Sequence, residues 1–398
     1  MPIRIKLATT AKELRDVYQL RYQVYAGEGA FENVEGDAII DQFDSVPGVA
    51  NVIAYEGDIP VGTMRVNLDT DILLPPDEIY DFSQYRANLC AQAKEQNTAA
   101  PILVSAGMLA IARQWRNRRD VFRALFKLSC DIAYSWGASH IITTVSIKSA
   151  SIYRRLGFST MEEKVWYQAA GEHIVPMSGD MAKVYQWAFG TLSDNNEFID
   201  SFSGSFEYLL VSAGTTIFSQ GDIGEEAYML NRGSVSITQL DKNSAACLPL
   251  ATLTSGSFFG ELSLIDDHPR SASALALNNC ELIVLSKQNF WQKVQQDTSY
   301  IKSLLSILSQ RLRNVDARAV VYARGTIAQR LEYLFDQVKQ DAVSCKVTPG
   351  AKVAKITVEE FNYLASAGLT ETKNFLQQLS IDGAIKVTDK NITFYGEQ

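Results

Sequence analysis

The sequence predicts a multidomain α+β chain: a mixed α/β front, an all-β middle, a long helical stretch and a small helix-and-hairpin tail. Three observations carry this. Helical and strand patterns alternate over the first ~190 residues. Short strands punctuated by Gly214, Gly221, Gly224, Gly233, Gly256 and Gly260 fill 206–286, which is how a tight-turned β-barrel reads. Ile301, Leu304, Leu305, Leu308, Leu312 and Val315 then recur on one face of a helical stretch over 298–340. The 398 residues fit two to four domains at roughly 100–200 residues each. The expected divisions are 1–191, 192–297, 298–345 and 346–398, with the polar "FGTLSDNNEF" at 189–198 as a linker.

Within the front, "AKELRDVYQLRYQVY" carries Leu14, Val17, Tyr18 and Tyr22 at helical spacing, and "VANVIAYEGDIPVGTMRVNL" reads as two strands around an "EGD" turn. "LAIARQWRNRRDVFRALFKL" reads as strand, loop and helix, with six basic residues and one acidic. "IITTVSIKSASIYRRLGF" reads as a strand and then a helix ending at Gly157-Phe158. The tail contains two short helical patterns and a hairpin, "AIKVTDKNITFYG".

Composition narrows the chemistry. Apolar residues make up 46% and charged residues 21%, as in ordinary globular protein, and the net charge of −8 argues against a whole-chain nucleic-acid binder. Any basic site is therefore local. Cys90, Cys130, Cys247, Cys280 and Cys345 show no C-x-x-C spacing, which fits free thiols in a reducing compartment. His140, His173 and His268 are the only histidines and lie far apart, so neither a metal site nor a nucleophile–histidine triad is expected. "MPIRIKLATT" has no apolar signal region and no run of ~18 apolar residues occurs, so a cytoplasmic protein without a membrane span is expected.

The stretch "FFGELSLIDDHPRSAS" at 258–273 sets Glu261 and Arg270 nine positions apart, with "ELSLIDDHP" able to form a short helix ended by proline. An arginine fork suits a phosphate and a carboxylate suits a ribose hydroxyl. Gly260, with no Cβ, lets the backbone approach an anion closely. This stretch resembles the phosphate-binding cassette of cyclic-nucleotide-binding domains, a β-jelly-roll fold, and the likeness extends through "AGTTIFSQGDIGEEAYMLNRGSVSI" and "CELIVLSKQNF". The resemblance implies that Glu261 takes the ribose hydroxyl and that Arg270 takes the cyclic phosphate, helped by the amides of Gly260, Leu262 and Ser271. In the bacterial catabolite-activator branch, adenine is read from the helix after the barrel; those positions fall on Val315 and Asp316, so cyclic AMP leads cyclic GMP slightly.

"KITVEEFNYLASAGLTETKNFLQQLSIDGAIKVTDKNITFYG" resembles the winged helix-turn-helix of that same activator family. Residues 351–398 hold five lysines, no arginine and six acidic residues, a net charge of −1, and the base-reading positions fall on Leu369, Thr370 and Asn374 with only Lys373 basic nearby. DNA reading needs cations and base-edge donors, so specific DNA binding is disfavoured against a relay role.

The front segment resembles the GNAT-like α/β acyltransferase fold, in which a loop and helix after the central strand hold the pantetheine pyrophosphate. Arg21, Tyr25, Phe31, Asp41, Asp44 and Arg65 match the signature of acyl-homoserine-lactone synthases, N-acyl amino acid synthases and exosortase-associated acyltransferases. The resemblance makes Tyr153 the acid for the leaving thiolate. The loop run 116–121 lacks the R-x-x-G-x-G glycines, and Ser105 and Met108 stand where the synthases carry a Glu and an Arg. Arg113, Arg116, Arg118 and Arg119 instead form a cationic rim suited to an acyl-CoA, a phosphopantetheine arm or an acidic acyl carrier protein. Asp41 or Asp44 would move the amine proton while Arg21 and Arg65 orient carboxylates; the same four also fit a buried ion network that shapes the pocket. The leading expectation is an N-acyltransferase switched by a cyclic nucleotide, acting as a homodimer through the long helix. The alternative is a catabolite-activator-like transcription regulator with a non-catalytic, acyl-sensing front.

Overall fold

The computed structural model describes residues 1–27, 36–168, 171–189, 202–240, 247–340, 342–344, 350–354, 356–389 and 391–395. Phe31, the 189–198 linker beyond its first residue, and the expected divisions near 191 and 345 lie outside them.

In the front, β1 (Ile3–Leu7) leads to α1 (Ala11–Ala26), β2 (Val49–Glu56), β3 (Ile59–Leu68), α2 (Ser83–Glu95) and β4 (Leu103–Ile111). Then come α3 (Arg119–Ser135), β5 (His140–Ser146), α4 (Ala150–Arg155), β6 (Phe158–Thr160), β7 (Val165–Tyr167), β8 (Glu172–Asp180) and α5 (Met181–Phe189). Helix α1 starts where a capping box satisfies its first amides: Glu13 N donates to Thr10 Oγ1 at 3.2 Å, and Thr10 N donates to Glu13 Oε2 at 3.0 Å. Its buried face is Val17, Leu20, Arg21 and Val24, rotated from the expected Leu14–Tyr22 stripe because it must bring Arg21 inward. Strands β1 to β4 are antiparallel neighbours, and β4 pairs with β5 in parallel.

The middle comprises β9 (Glu207–Val211), β10 (Thr216–Phe218), β11 (Glu226–Arg232), β12 (Val235–Leu240), β13 (Cys247–Leu253) and β14 (Phe258–Phe259). It continues through α6 (Leu262–Ile265), β15 (Ser273–Ala276), β16 (Cys280–Ser286) and α7 (Lys287–Gln296). Two antiparallel sheets face each other in jelly-roll fashion, with orders β10-β15-β12-β13 and β14-β11-β16-β9. The second sheet does not stop at β9. Ile3, Arg4 and Ile5 of β1 pair with Leu210, Leu209 and Tyr208, so this barrel sheet continues into the front sheet. One hydrophobic cluster spans both blocks, from Val52 and Phe126 to Tyr208, Met229 and Phe290, and on to Leu304. A seam this apolar holds the blocks as one body.

The helical stretch expected over 298–340 comprises two helices, α8 (Ser299–Arg324) and α9 (Ile327–Gln340). Gly325 breaks them: its extended ψ of 148° leaves the helical region. On α8, Leu304 is buried, whereas Leu305, Leu312 and Val315 are exposed. In the tail, β17 (Val343–Ser344), β18 (Lys352–Ala354), β20 (Ile392–Phe394) and β19 (Ile385–Val387) form a sheet beside α10 (Val358–Ala365) and α11 (Leu369–Ile381), around Phe361, Leu376 and Phe394. Among the described residues no helix is long and apolar enough to cross a membrane.

Candidate functional site

Two constellations carry chemistry. The first surrounds Arg270. Strand β14 ends at Phe259, and the φ of +73° at Gly260 turns the chain into α6. Helix α6 ends at Ile265, short of Pro269. Glu261 is 4% and Arg270 7% exposed. The Arg270 guanidinium donates to Gly260 O at 2.9 Å, Ser263 Oγ at 2.6 Å and Glu226 O at 2.7 Å, and lies 4.2 Å from the Phe218 ring centroid. A Cβ on Gly224 would run into the Arg270 guanidinium and force it to shift. Burial lowers the Arg270 pKa, opposed by Tyr228 and Glu226, yet a guanidinium stays charged at any physiological pH. Among the described residues its buried Nε has no hydrogen-bond partner. Leu262 and Ser271 are exposed at the rim. Asp316 stands exposed on α8, about 26 Å along from the helix start at 1.5 Å per residue.

The second constellation lies on the α1 side of the front sheet. Arg21 donates to both Asp44 oxygens at 2.9 and 3.0 Å and also to Asn51 Oδ1. Arg65 grips Asp41 with two bonds, 2.5 and 3.0 Å, and reaches Asp44 Oδ2 at 2.9 Å. Side-chain exposure is 0% for Arg21, 1% for Asp44 and 2% for Arg65, against 33% for Asp41. Asp41 is thus the member that meets solvent. For Asp44, burial works to raise the pKa, but the Arg21 and Arg65 charges outweigh it and hold the carboxyl below its usual value.

Beside this cluster, β4 leaves its neighbour. Strands β4 and β5 pair only from Leu103–His140 to Ser105–Ile142, while β5 stays on β8 out to Ser146–Ile174. Between the pairs Thr63–Ala110 and Arg65–Gly107, the single residue Met64 of β3 faces two of β4, Met108 and Leu109, and Met108 adopts φ +49°, so β4 bulges. Tyr25 OH holds the bulge by donating to Leu109 O at 2.9 Å. The bulge and the half-buried residues 107–109 were missed in the sequence, although a lone glycine inside a strand pattern signals such a site.

The structure brings Arg21, Asp41, Asp44 and Arg65 together and adds Asn51, which sequence reasoning missed. Tyr153 is not in that cluster; its ring packs edge-on to Phe126 and Phe158, and burial pushes its pKa up to about 12. Of the arginine run, Arg118 is held by Asp120 at 2.7 Å, Arg116 Nε donates to Ile111 O at 3.2 Å, and Arg113 and Arg119 are exposed. Arg118 and Arg119 line a cleft of about 390 Å³ against the barrel residues Arg232 and Glu281.

The family model for N-acyl amino acid synthase FeeM matches residues 16–180, and that for the cyclic nucleotide-binding domain matches 209–297. The chain joins an N-acyl amino acid synthase domain to a cyclic nucleotide-binding domain. The ion cluster and the β4 bulge fall within the synthase domain, and Glu261 and Arg270 within the nucleotide-binding domain. The Cyclic AMP receptor protein of Thermus thermophilus is 26% identical over 193 residues, 48% of this chain and 85% of the relative. The cAMP-activated global transcriptional regulator Vfr of Pseudomonas aeruginosa is 28% identical over 193 residues, 46% of this chain and 87% of the relative. The solved structure of the c-di-GMP responsive global regulator CLP of Xanthomonas campestris is 22% identical, with a TM-score of 0.41, covering 51% of this chain and all of that one.

Proposed function

We propose that the chain is a cyclic-nucleotide-regulated N-acyltransferase that moves an acyl group from an acyl-carrier-protein or acyl-CoA thioester to an amino acid-like amine. The observation that carries this reading is the position of Arg65, cross-strand neighbour of the bulged β4 edge and partner of the half-exposed Asp41. In this reading the amine attacks the thioester carbon lying in the β4–β5 fork. Asp41, directly or through water, accepts the amine proton; the more deeply buried Asp44 fixes Arg21 and Arg65. Backbone N–H groups of β4 on the edge facing β5 steady the oxyanion. As the tetrahedral intermediate collapses, the C–S bond breaks and Tyr153 protonates the thiolate. Arg113, Arg116, Arg118 and Arg119 draw the phosphate end of the donor.

The effector is cyclic AMP rather than cyclic GMP, a preference supported by the names of the two relatives. It places its phosphate on Arg270 and its ribose hydroxyl on Glu261, with the amides of Gly260, Leu262 and Ser271 alongside. The divisions at 191, 297 and 345, the GNAT-like front, the winged-helix tail and a cytoplasmic location belong to the same proposal. So does a homodimer joined through α8, supported by the exposed Leu305, Leu312 and Val315. A second reading, a transcription regulator with an acyl-sensing front, draws on the same relatives; against it stands α11, where Leu369, Thr370 and Asn374 leave Lys373 as the one cation.

The test is acyl transfer from acyl carrier protein or acyl-CoA to amino acids, lysine peptides and S-adenosylmethionine, with and without cyclic AMP. Transfer that changes with cyclic AMP is the expected result. No transfer from either donor removes the enzyme, and equal turnover removes the switch.

A further inference from the structure

We propose that nucleotide occupancy is conveyed to the acyl site through Glu226 and Arg4, along β1, to Asn51. This inference rests on the functional reading above and names the route by which that site is regulated. Glu226 faces both ways. Its backbone carbonyl accepts from Arg270 Nη2 at 2.7 Å, while its carboxylate accepts from Arg4 Nη1 and Nη2 at 2.9 and 3.1 Å and from the Tyr228 hydroxyl at 2.9 Å. Burial tends to raise the Glu226 pKa, but Arg4 holds the carboxyl below its usual value, so the bridge is charged at neutral pH.

Arg4 is not a barrel residue. It sits on β1, the strand that pairs with β9 on one edge and with β2 on the other, opposite Leu209 and Tyr55. Four residues further on, Ala8 N donates to Asn51 O at 2.7 Å. Asn51 is cross-strand neighbour to Arg65 and takes a side-chain bond from Arg21. The route from Arg270 to the ion cluster thus runs through hydrogen bonds, the covalent β1 segment from Arg4 to Ala8, and one cross-strand pair. An anion at Arg270 competes for the guanidinium that now holds the Glu226 carbonyl. Displacing that carbonyl moves the start of β11 and, through the bidentate carboxylate, the β1 ladder. Coupling requires the nucleotide to favour one of these two arrangements. Glu207, which also accepts from Arg4 Nη1 at 2.6 Å, lies off this route and serves as the control.

The experiment compares the full chain with its Arg4→Gln and Glu207→Gln variants. Three readings are taken: cyclic AMP affinity, hydrogen exchange of 3–8 and 51–56, and turnover with and without cyclic AMP. In the wild type and in Glu207→Gln, cyclic AMP is expected to change exchange in both segments and to change turnover. In Arg4→Gln, affinity and basal turnover are expected to hold within about twofold while both responses vanish. Arg4 is 35% exposed, so the variant is expected to fold; its melting profile checks this. A wild-type chain that binds cyclic AMP with unchanged exchange at β1 overturns the route alone, as does an Arg4→Gln variant that keeps the full response. A wild-type chain that binds no cyclic nucleotide overturns the functional reading and the route with it.

Discussion

Arg65 lies directly opposite Gly107 across the β3–β4 ladder, so the buried ion cluster and the bulged edge of β4 are neighbours in one sheet. The charges that organise the cluster therefore also fix the strand that lines the fork. Loosening one loosens the other.

Removing Asp44 takes the carboxylate from the buried Arg21 and leaves Arg65 with Asp41 alone. Asp44→Ala is expected to cost about 3–5 kcal/mol in chemical denaturation, the penalty for an uncompensated buried charge. Arg21→Met combined with Asp44→Leu is expected to recover part of that loss by swapping the pair for apolar contact. A cost below about 1 kcal/mol for the single variant would contradict a dry, paired cluster.

The same carboxylate sets an acid limit. Its folded pKa lies below the ordinary 3.8, so the unfolded chain binds its proton first. The stability it adds is full above about pH 4 and is lost as pH falls through the folded value. Urea midpoints measured from neutral pH down to about pH 3 are expected to fall less steeply in Asp44→Asn than in the wild type. Parallel slopes would remove Asp44 from the acid transition.

Arg270→Lys keeps the charge and loses the planar fork. Each lost charge-assisted bond is worth about 1.5–3 kcal/mol, so cyclic AMP binding by calorimetry is expected to weaken tenfold or more. Gly224→Ala changes no charge, yet its methyl pushes against the Arg270 guanidinium and is expected to weaken binding as well. Unchanged affinity in both would move the nucleotide away from this cradle.

Tyr153→Phe keeps the ring between Phe126 and Phe158 and deletes only the hydroxyl. Melting temperature is expected to hold, while kcat falls by about 10²–10⁴ if the phenol is the general acid. A variant with wild-type turnover would leave the thiolate to depart unprotonated or to take its proton from water.

What could be read beforehand follows a physical division. Glu261 and Arg270 are legible because cradle, helix and fork lie within one stretch, and the 3.6-residue and two-residue periods report local elements faithfully. Phe218 and Glu226, which complete the cradle, come from earlier strands whose pairing no periodicity encodes. The β1–β9 join is of the same kind: Arg4 reads as one more cation in a polar N-terminus until its partners some 200 residues away are seen. Arg21, Asp41, Asp44 and Arg65 were visible as a spaced signature, but nothing in the spacing reveals that Asp41 alone reaches water. The break at Gly325 was not read because the apolar face that marks the helix ends at Val315, short of the break.

The β1–β9 pairing has a practical corollary for anyone cutting the gene into pieces. Expressed separately, the first 190 or so residues would end in a raw β1 margin and the following portion in a raw β9 margin, each a row of unsatisfied amides, the second flanked by the bared apolar surface of Tyr208, Phe206 and Phe290. Such fragments are expected to precipitate or to stick to one another on mixing, and a protease that nicks the intervening chain is expected to leave the two halves travelling together on a sizing column.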